Sequence, residues 1–277
     1  MSVRQNPLMA FTPSRWSAAI SWALALVLLA VDWHFSLVVL AMYGVLCVAA
    51  PFIPRLGFFL PVTSRGCPGR KSVALTFDDG PDPLVTPAVL KMLKARQLQA
   101  TFFVCGDKAV RYPHLIEALI AHGHTIANHG YHHDPLIFFK GAGAIFKEID
   151  ETQQALRPFG VQPQVYRPPA GILAPSLRQP LNDIGLRVVN FSCRGFDRGN
   201  KRIRGLAARI IRRVQPGDII LLHDILPNEV NGLRIWLEQV RILLDGLSAK
   251  GLAVEPLEDL IGFPVMAFDH PQRIARP

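Results

Sequence analysis

Charge is missing from two long stretches of this 277-residue chain: none occurs from Trp16 to Val31, and none from Phe35 to Ile53. Spanning a bilayer takes ~20 apolar residues, or about 17 at the short end, so the second run is long enough and the first is marginal. A cleavable signal peptide is excluded as the simple explanation, because its short apolar core would be followed by a small-residue site and here a second apolar run follows instead. The expectation is a membrane hairpin over residues 1–54, with spans at about 16–31 and 35–53. A single kinked span is the alternative. Cysteine is scarce as well. Cys47 lies in the second run, and Cys67, Cys105 and Cys193 show neither metal-type pairing nor a dense disulfide framework, which fits a reducing compartment. No internal repeat and no low-complexity tract is present.

Lysine and arginine are absent from the short connection Asp32 to His34, whereas Arg4 and Arg15 precede the hairpin and Arg55, Arg65, Arg70 and Lys71 follow it. Basic residues mark the cytoplasmic side of a span, so the sequence predicts a multi-pass protein of the inner, cytoplasmic membrane with the large domain facing the cytoplasm. With one span the domain would move to the other side. A reporter fused at Pro277 that is active only outside the cytoplasm would reject the two-span orientation. Half of the residues are apolar and the mean hydropathy is +0.24, high for a soluble enzyme. The net charge of +9 has no single block behind it: Arg194, Arg198, Lys201, Arg202 and Arg204 form one group and Arg209, Arg212 and Arg213 another. Anionic headgroups account for that charge as well as nucleic acid would, and nucleic acid is not the expected partner.

From Ser72 to Pro81 the chain alternates Val73, Leu75 and Phe77 with Ala74 and Thr76, then stops at Asp78, Asp79 and Gly80. This reads as a short buried strand with two carboxylates at its C-terminal end. Neighbouring carboxylates repel, so both ionise only when a cation or a donor holds them. Asp, Gly and Pro are also ordinary turn residues, and the weight of the motif comes from the other strand ends. Six further strands are expected near residues 100–104, 124–127, 165–166, 186–191, 218–222 and 252–254, with helices between them. Such alternation predicts a distorted (β/α) barrel of about seven strands over residues 72–262, after a linker at 55–71 and before a tail at 263–277. Asp78, Asp79, His129, Arg167, Asp197 and His223 each fall at or just beyond a strand's C-terminal end, the face on which such barrels carry their active sites.

His129 and His133 are four residues apart, and a helical turn there would project both rings to one side. Two His and one carboxylate leave a metal with an open position for water. Asp79 is the natural third ligand, which frees Asp78 to accept a proton; His124 and His132 are the distractors.

These motifs resemble those of the polysaccharide deacetylases, the nodulation-type chitooligosaccharide deacetylase homology domain. Thr76 to Gly80, His129 to His133, Arg167 to Gly171, Asp197, and Leu221 to His223 correspond in order, spacing and residue type over about two thirds of the chain, from Ser72 to Leu260. The resemblance implies that Asp78 is the general base and that Asp79, His129 and His133 hold a divalent metal, usually zinc, which polarises the amide carbonyl and acidifies water towards a pKa of about 7. It also implies that Arg167 holds Asp78, that Ala170 offers its backbone N–H to the oxyanion, that Leu221 faces the acyl methyl, and that His223, supported by Asp197, protonates the departing amine. Two departures stand out. Ala170 occupies a place where the family commonly has an aromatic residue, and Arg194 and Arg198 fall where an Asp and a Trp are usual. Fewer aromatic shelves argue against an insoluble polymer as substrate, and added arginines suit a phosphate. The expected function is removal of an N-acyl, usually N-acetyl, group from an amino sugar of a membrane-associated glycan or lipid-linked saccharide. The alternative is a catalytically silent, sugar-binding member of a polysaccharide-assembly complex.

Overall fold

The computed structural model describes residues 12–268; Arg4 and the end of the tail expected over 263–277 lie outside these. Two apolar helices come first, α1 (Pro13–Leu29) and α2 (Trp33–Ala49), packed on each other. Asp32 starts α2 by accepting from the His34 backbone N–H at 2.9 Å, and Ser36 Oγ donates to the Ala25 carbonyl at 2.7 Å. Most of the remaining side chains of the pair are apolar and exposed, Val27, Val45 and Val48 among them. Among the described residues, only the helical stretch Trp33–Phe52 is long and apolar enough to cross a membrane; Pro13–Leu29 is apolar but shorter, at 17 residues.

The strands are β1 (Val62–Thr63), β2 (Ser72–Gly80), β3 (Thr101–Val104), β4 (Thr125–Asn128), β5 (Val161–Pro163), β6 (Val165–Tyr166), β7 (Arg187–Val189), β8 (Cys193–Arg194), β9 (Ile219–His223), β10 (Ala253–Val254) and β11 (Met266–Phe268). The helices that follow the hairpin are α3 (Val85–Ala95), α4 (Gly106–Arg111), α5 (Pro113–Ala121), α6 (Gly141–Leu156), α7 (Arg178–Ile184), α8 (Leu206–Ile211), α9 (Gly232–Ala249) and α10 (Leu257–Ile261). One parallel sheet runs in the order β1-β7-β6-β4-β3-β2-β9-β8, with β10 added beside the start of β2. All seven expected strands are present, but the sheet is a curled, incomplete barrel. The expected strand at 186–191 is interrupted: β7 pairs with β6, and the same segment resumes as β8 on β9. Asn190 to Ser192 make the crossing, where the Asn190 N–H donates to Thr63 and the Ser192 N–H to Ile219.

Period-2 alternation divides the strands between two cores. Val73, Leu75 and Phe77 of β2 face outward with Phe102, Ile220 and Leu222, under Leu93, Trp236 and Leu243 of the covering helices. Ala74 faces inward with Phe103, Ala127, Val165, Val189 and Ile219. At that N-terminal end of the strands the interior is closed by Leu257, Leu260 and Ile261 of α10. Continuing the inward parity of β2 and β9 towards the other end brings Thr76 and Asp78, Leu221 and His223, so the polar groups collect at the open mouth.

Two boundaries differ from expectation. Part of the 55–71 linker belongs to the fold, because Leu60 is buried and Val62–Thr63 pair in parallel with β7. Residues Met266–Phe268 of the tail form β11, antiparallel to β5, after Val265 has entered the inner core.

Candidate active site

Asp78 is buried at the end of β2, opposite Phe103 of β3 on one side and His223 of β9 on the other. Arg167 directly follows β6 and is buried completely. A buried guanidinium must find acceptors for its five N–H groups. Four are satisfied: Nη1 donates to Asp78 Oδ1 at 2.5 Å and to Thr76 Oγ1 at 2.8 Å, Nε to the Val189 carbonyl and Nη2 to the Asn190 carbonyl, each at 3.2 Å. Its Cζ lies 3.7 Å from the centre of the Phe103 ring, a cation–π contact. Burial lowers the Arg167 pKa and the charge of Asp78 opposes that, so the guanidinium remains the fixed cation of the pair.

His129 directly follows β4, and its Nδ1 lies 2.7 Å from the Arg167 carbonyl oxygen. A carbonyl only accepts, so Nδ1 carries a proton and Nε2 is the ring nitrogen left for the cleft. His133 arrives by another route. The residues from His129 to His133 are irregular, not the helical turn that would have aligned the two rings. Gly130 takes φ +86 and His133 φ +54. Glu148 of α6 ties the loop down, accepting from the Tyr131 and His132 backbone N–H groups at 2.8 Å and from the His132 ring at 2.7 Å. The i, i+4 spacing therefore brings the imidazoles together through a loop clamped by a distant carboxylate, and His132 serves the clamp.

One donor atom from each of Asp79, His129 and His133 lies within 4.8 Å of the other two. Asp79 Oδ1 is buried, 2.9 Å from His133 Nε2 and 3.3 Å from His129 Nε2, yet it receives no aligned hydrogen bond among the described residues. Three potential ligand atoms are thus gathered in one small volume. An orphaned buried oxygen beside two imidazoles suits a divalent cation with N and O ligands. Burial alone would raise the Asp79 carboxyl, but the two imidazoles hold it well below the usual carboxylate range. Burial would likewise lower His133, and Asp79 overrides it and raises the ring. Asp79, at φ +70, joins His133 in the left-handed region, and so does Ala170 at φ +58. Such conformations are uncommon for residues with a Cβ and concentrate where function demands a particular reach. Gly80 completes the turn because a Cβ there would sit 2.3 Å from Asp224 Oδ2.

Across the cleft, His223 Nδ1 donates to Asp197 Oδ2 at 2.7 Å, both side chains being largely buried. Burial by itself would depress the imidazole, but the bond to Asp197 and the nearby carboxylates push its pKa up to about 9. Asn200 fixes this corner by donating to the carbonyls of His223 and Ile225 at 3.0 and 2.7 Å. The cleft has a volume of ≈ 780 Å³, and Ala170 and Leu221 line it together with all five of Asp78, Asp79, His129, His133 and His223. Asp197 lines it as well, and Arg167 lies behind Asp78.

Several contributors were not foreseen. Thr76, Glu148 and Asn200 position the site residues, and only Thr76 sits inside a motif. Aromatic surface is also present after all: Phe191 and Phe196 line the cleft. Arg209 of the second basic group is occupied structurally, donating to the carbonyls of Gly195, Arg202 and Arg204, while Arg194 and Arg213 lie against the Phe196 ring at 4.6 and 4.7 Å.

Comparison with known proteins agrees with this layout. The family described as "Polysaccharide deacetylase" matches residues 65–189. A chitooligosaccharide deacetylase of Azorhizobium caulinodans is 34% identical over 197 residues, covering 68% of this chain and 93% of the relative. A peptidoglycan-N-acetylglucosamine deacetylase of Bacillus cereus is 30% identical over 159 residues, 56% of this chain and 73% of the relative. Among solved structures, the Bc1960 peptidoglycan N-acetylglucosamine deacetylase bound to a naphthalenyl N-hydroxybenzamide superposes with a TM-score of 0.67 at 27% identity, covering 74% of this chain and 94% of that one.

Proposed function

Since the chain belongs to the polysaccharide deacetylase family, we propose that this hydrolase removes an N-acyl group, in the first instance N-acetyl, from an amino sugar of a membrane-associated glycan or lipid-linked saccharide. The reading is carried by one observation: the three-donor cluster lies in a single cleft between a carboxylate locked by a buried arginine and an imidazole locked by a buried carboxylate. Asp79, His129 and His133 would hold a divalent cation, with zinc the best match to the donor set. That cation supplies Lewis acidity towards the amide carbonyl and a more acidic water. Asp78 Oδ2, left free by the Arg167 bond to Oδ1, takes the proton from the attacking water. The Ala170 backbone N–H contributes to the oxyanion, Leu221 packs on the acyl methyl, and His223 gives its Nε2 proton to the leaving amine. In this reading Trp33–Phe52 and the shorter Pro13–Leu29 both enter the inner membrane and the catalytic domain faces the cytoplasm. The test is release of acetate by the zinc-loaded full chain from an N-acetylhexosaminyl lipid and from chitooligosaccharide; no acid released from either rejects the reading.

The His223–Asp197 pair yields a pH prediction. The acid must be protonated, so kcat/KM falls as the pH rises past the His223 pKa. A cation on Asp79 offsets the pull of that carboxylate, which leaves Asp197 as the main support of the protonated ring. In Asp197→Asn the alkaline limb of the kcat/KM profile moves to lower pH, while the acidic limb stays in place. An alkaline limb that does not move would remove His223 from the role of acid. Stability has the same sign: the folded pKa of about 9 lies above the ordinary 6.5, so protonated His223 favours the fold fully below pH 6.5 and ceases to do so above about 9.

A further inference from the structure

Beside the cleft lies a second cavity of ≈ 670 Å³, and Ala170, Gly171, Phe191, Arg194 and Phe196 line both. Its remaining wall brings together the end of the apolar hairpin, at Phe52 and Ile53, with Arg55, Arg65 and Arg213. Four guanidinium groups therefore share one cavity with a single carboxylate, Asp218, which pairs with Arg65 at 2.8 Å. Among the described residues no carboxylate lies within ion-pair distance of Arg55, Arg194 or Arg213. The three are nonetheless held in place. Arg55 Nη2 donates to the Ser192 carbonyl at 2.6 Å, and Arg194 and Arg213 lie against the Phe196 ring, with Arg194 also 5.4 Å from the centre of the Phe191 ring. Stacking engages the guanidinium faces and leaves N–H edges for a ligand, the arrangement that suits phosphate oxygens.

From this we infer that the cavity is a phosphate subsite for a lipid-linked sugar phosphate: its lipid leaves along the Phe52–Ile53 end of the hairpin, its phosphate sits among Arg55, Arg194 and Arg213, and its N-acyl sugar reaches the catalytic cleft across the shared wall. The inference rests on the lipid-linked reading of the substrate. Hairpin and domain are joined at this place, since the Leu173 N–H donates to the Pro51 carbonyl at 3.0 Å and the Phe52 and Phe138 rings meet edge to face at 6.5 Å. The apolar exit and the cationic cavity are thus one continuous surface.

The full chain in phosphatidylcholine nanodiscs, titrated with farnesyl phosphate and with farnesol, tests the subsite without requiring turnover. Farnesyl phosphate should bind at least tenfold more tightly than farnesol, and Arg55→Gln with Arg213→Gln should remove that preference; Arg194→Gln is the second variant should the first fail to fold. Equal binding of the two probes, or a preference untouched by the substitutions, overturns the subsite. So does loss of the preference in discs containing phosphatidylglycerol, which would assign the arginines to bilayer headgroups. If acid is released, the ratio of kcat/KM for an N-acetylhexosaminyl lipid phosphate over chitooligosaccharide should fall at least tenfold in the double variant. A ratio that stays constant also counts against the subsite. Should no sugar be turned over while the farnesyl phosphate preference stands, the hydrolase reading fails and the anion site survives.

Discussion

Asp78→Asn is expected to lower kcat by roughly 10²- to 10⁴-fold, the range that a positioned general base contributes, while the divalent cation proposed for Asp79, His129 and His133 stays bound. The substitution conserves size, and the new amide oxygen still accepts from Arg167 Nη1, which now reaches Asp78 Oδ1 at 2.5 Å. It removes the ability to take a proton and, with it, the negative charge opposite Arg167, so a loss of stability accompanies the loss of turnover. Asp79, His129 and His133 are untouched, so bound metal measured by atomic emission should remain at the level of the natural chain while acetate release collapses. Unchanged turnover would mean that another group is the base. Metal lost together with activity would mean that Asp78 acts as a ligand, an outcome made conceivable by its Oδ2 lying 3.8 Å from His129 Nε2.

The second large effect falls on stability. Arg167→Met keeps much of the side-chain volume and its contact with Phe103, but leaves a buried carboxylate without its partner and strips the Val189 and Asn190 carbonyls of a donor. Breaking a buried ion pair from one side costs about 3–5 kcal/mol, which for a domain of this size lowers Tm by on the order of 10 °C. Differential scanning of the full chain in detergent checks the figure. A Tm within about 2 °C of the natural chain would show that Asp78 is solvated or protonated in the fold and that the pair is not a structural centre. Arg167→Lys should recover only part of the loss, since one ammonium cannot reach the four acceptors that the planar fork holds.

Much of this site could be read from residue order because burial and chemistry coincide along the strands. β2 is buried on both faces, so its apolar run announces a central strand, and the abrupt change to Asp78 and Asp79 marks where the barrel mouth begins. The same break recurs at His129, Arg167 and His223. Other features depend on partners that local pattern does not specify. The His129–His133 loop owes its shape to Glu148, a helix residue whose spacing from the histidines carries no signal of contact. The pairing of Val62–Thr63 with β7 was hidden by a Gly- and Pro-rich neighbourhood that reads as linker. The crossing at Asn190 to Ser192 looked like continuous strand because Leu186 to Phe191 is apolar and β-prone throughout, and only the need to pair with both β6 and β9 interrupts it. Phe191 and Phe196 lie outside the positions singled out in the sequence, so a position-by-position reading finds bare walls where the folded chain has rings.

Helix α10 has a bearing on traffic. With Leu257, Leu260 and Ile261 corking the far end of the barrel, the reaction chamber is a cul-de-sac, so a saccharide cannot thread through it from one side to the other. Whatever enters must back out of the same doorway, and a polymer can only be draped across the threshold. Beside that doorway, at the neighbouring cavity, the apolar helix pair is rooted through Phe52 and Ile53, so its end stands next to every arrival and departure.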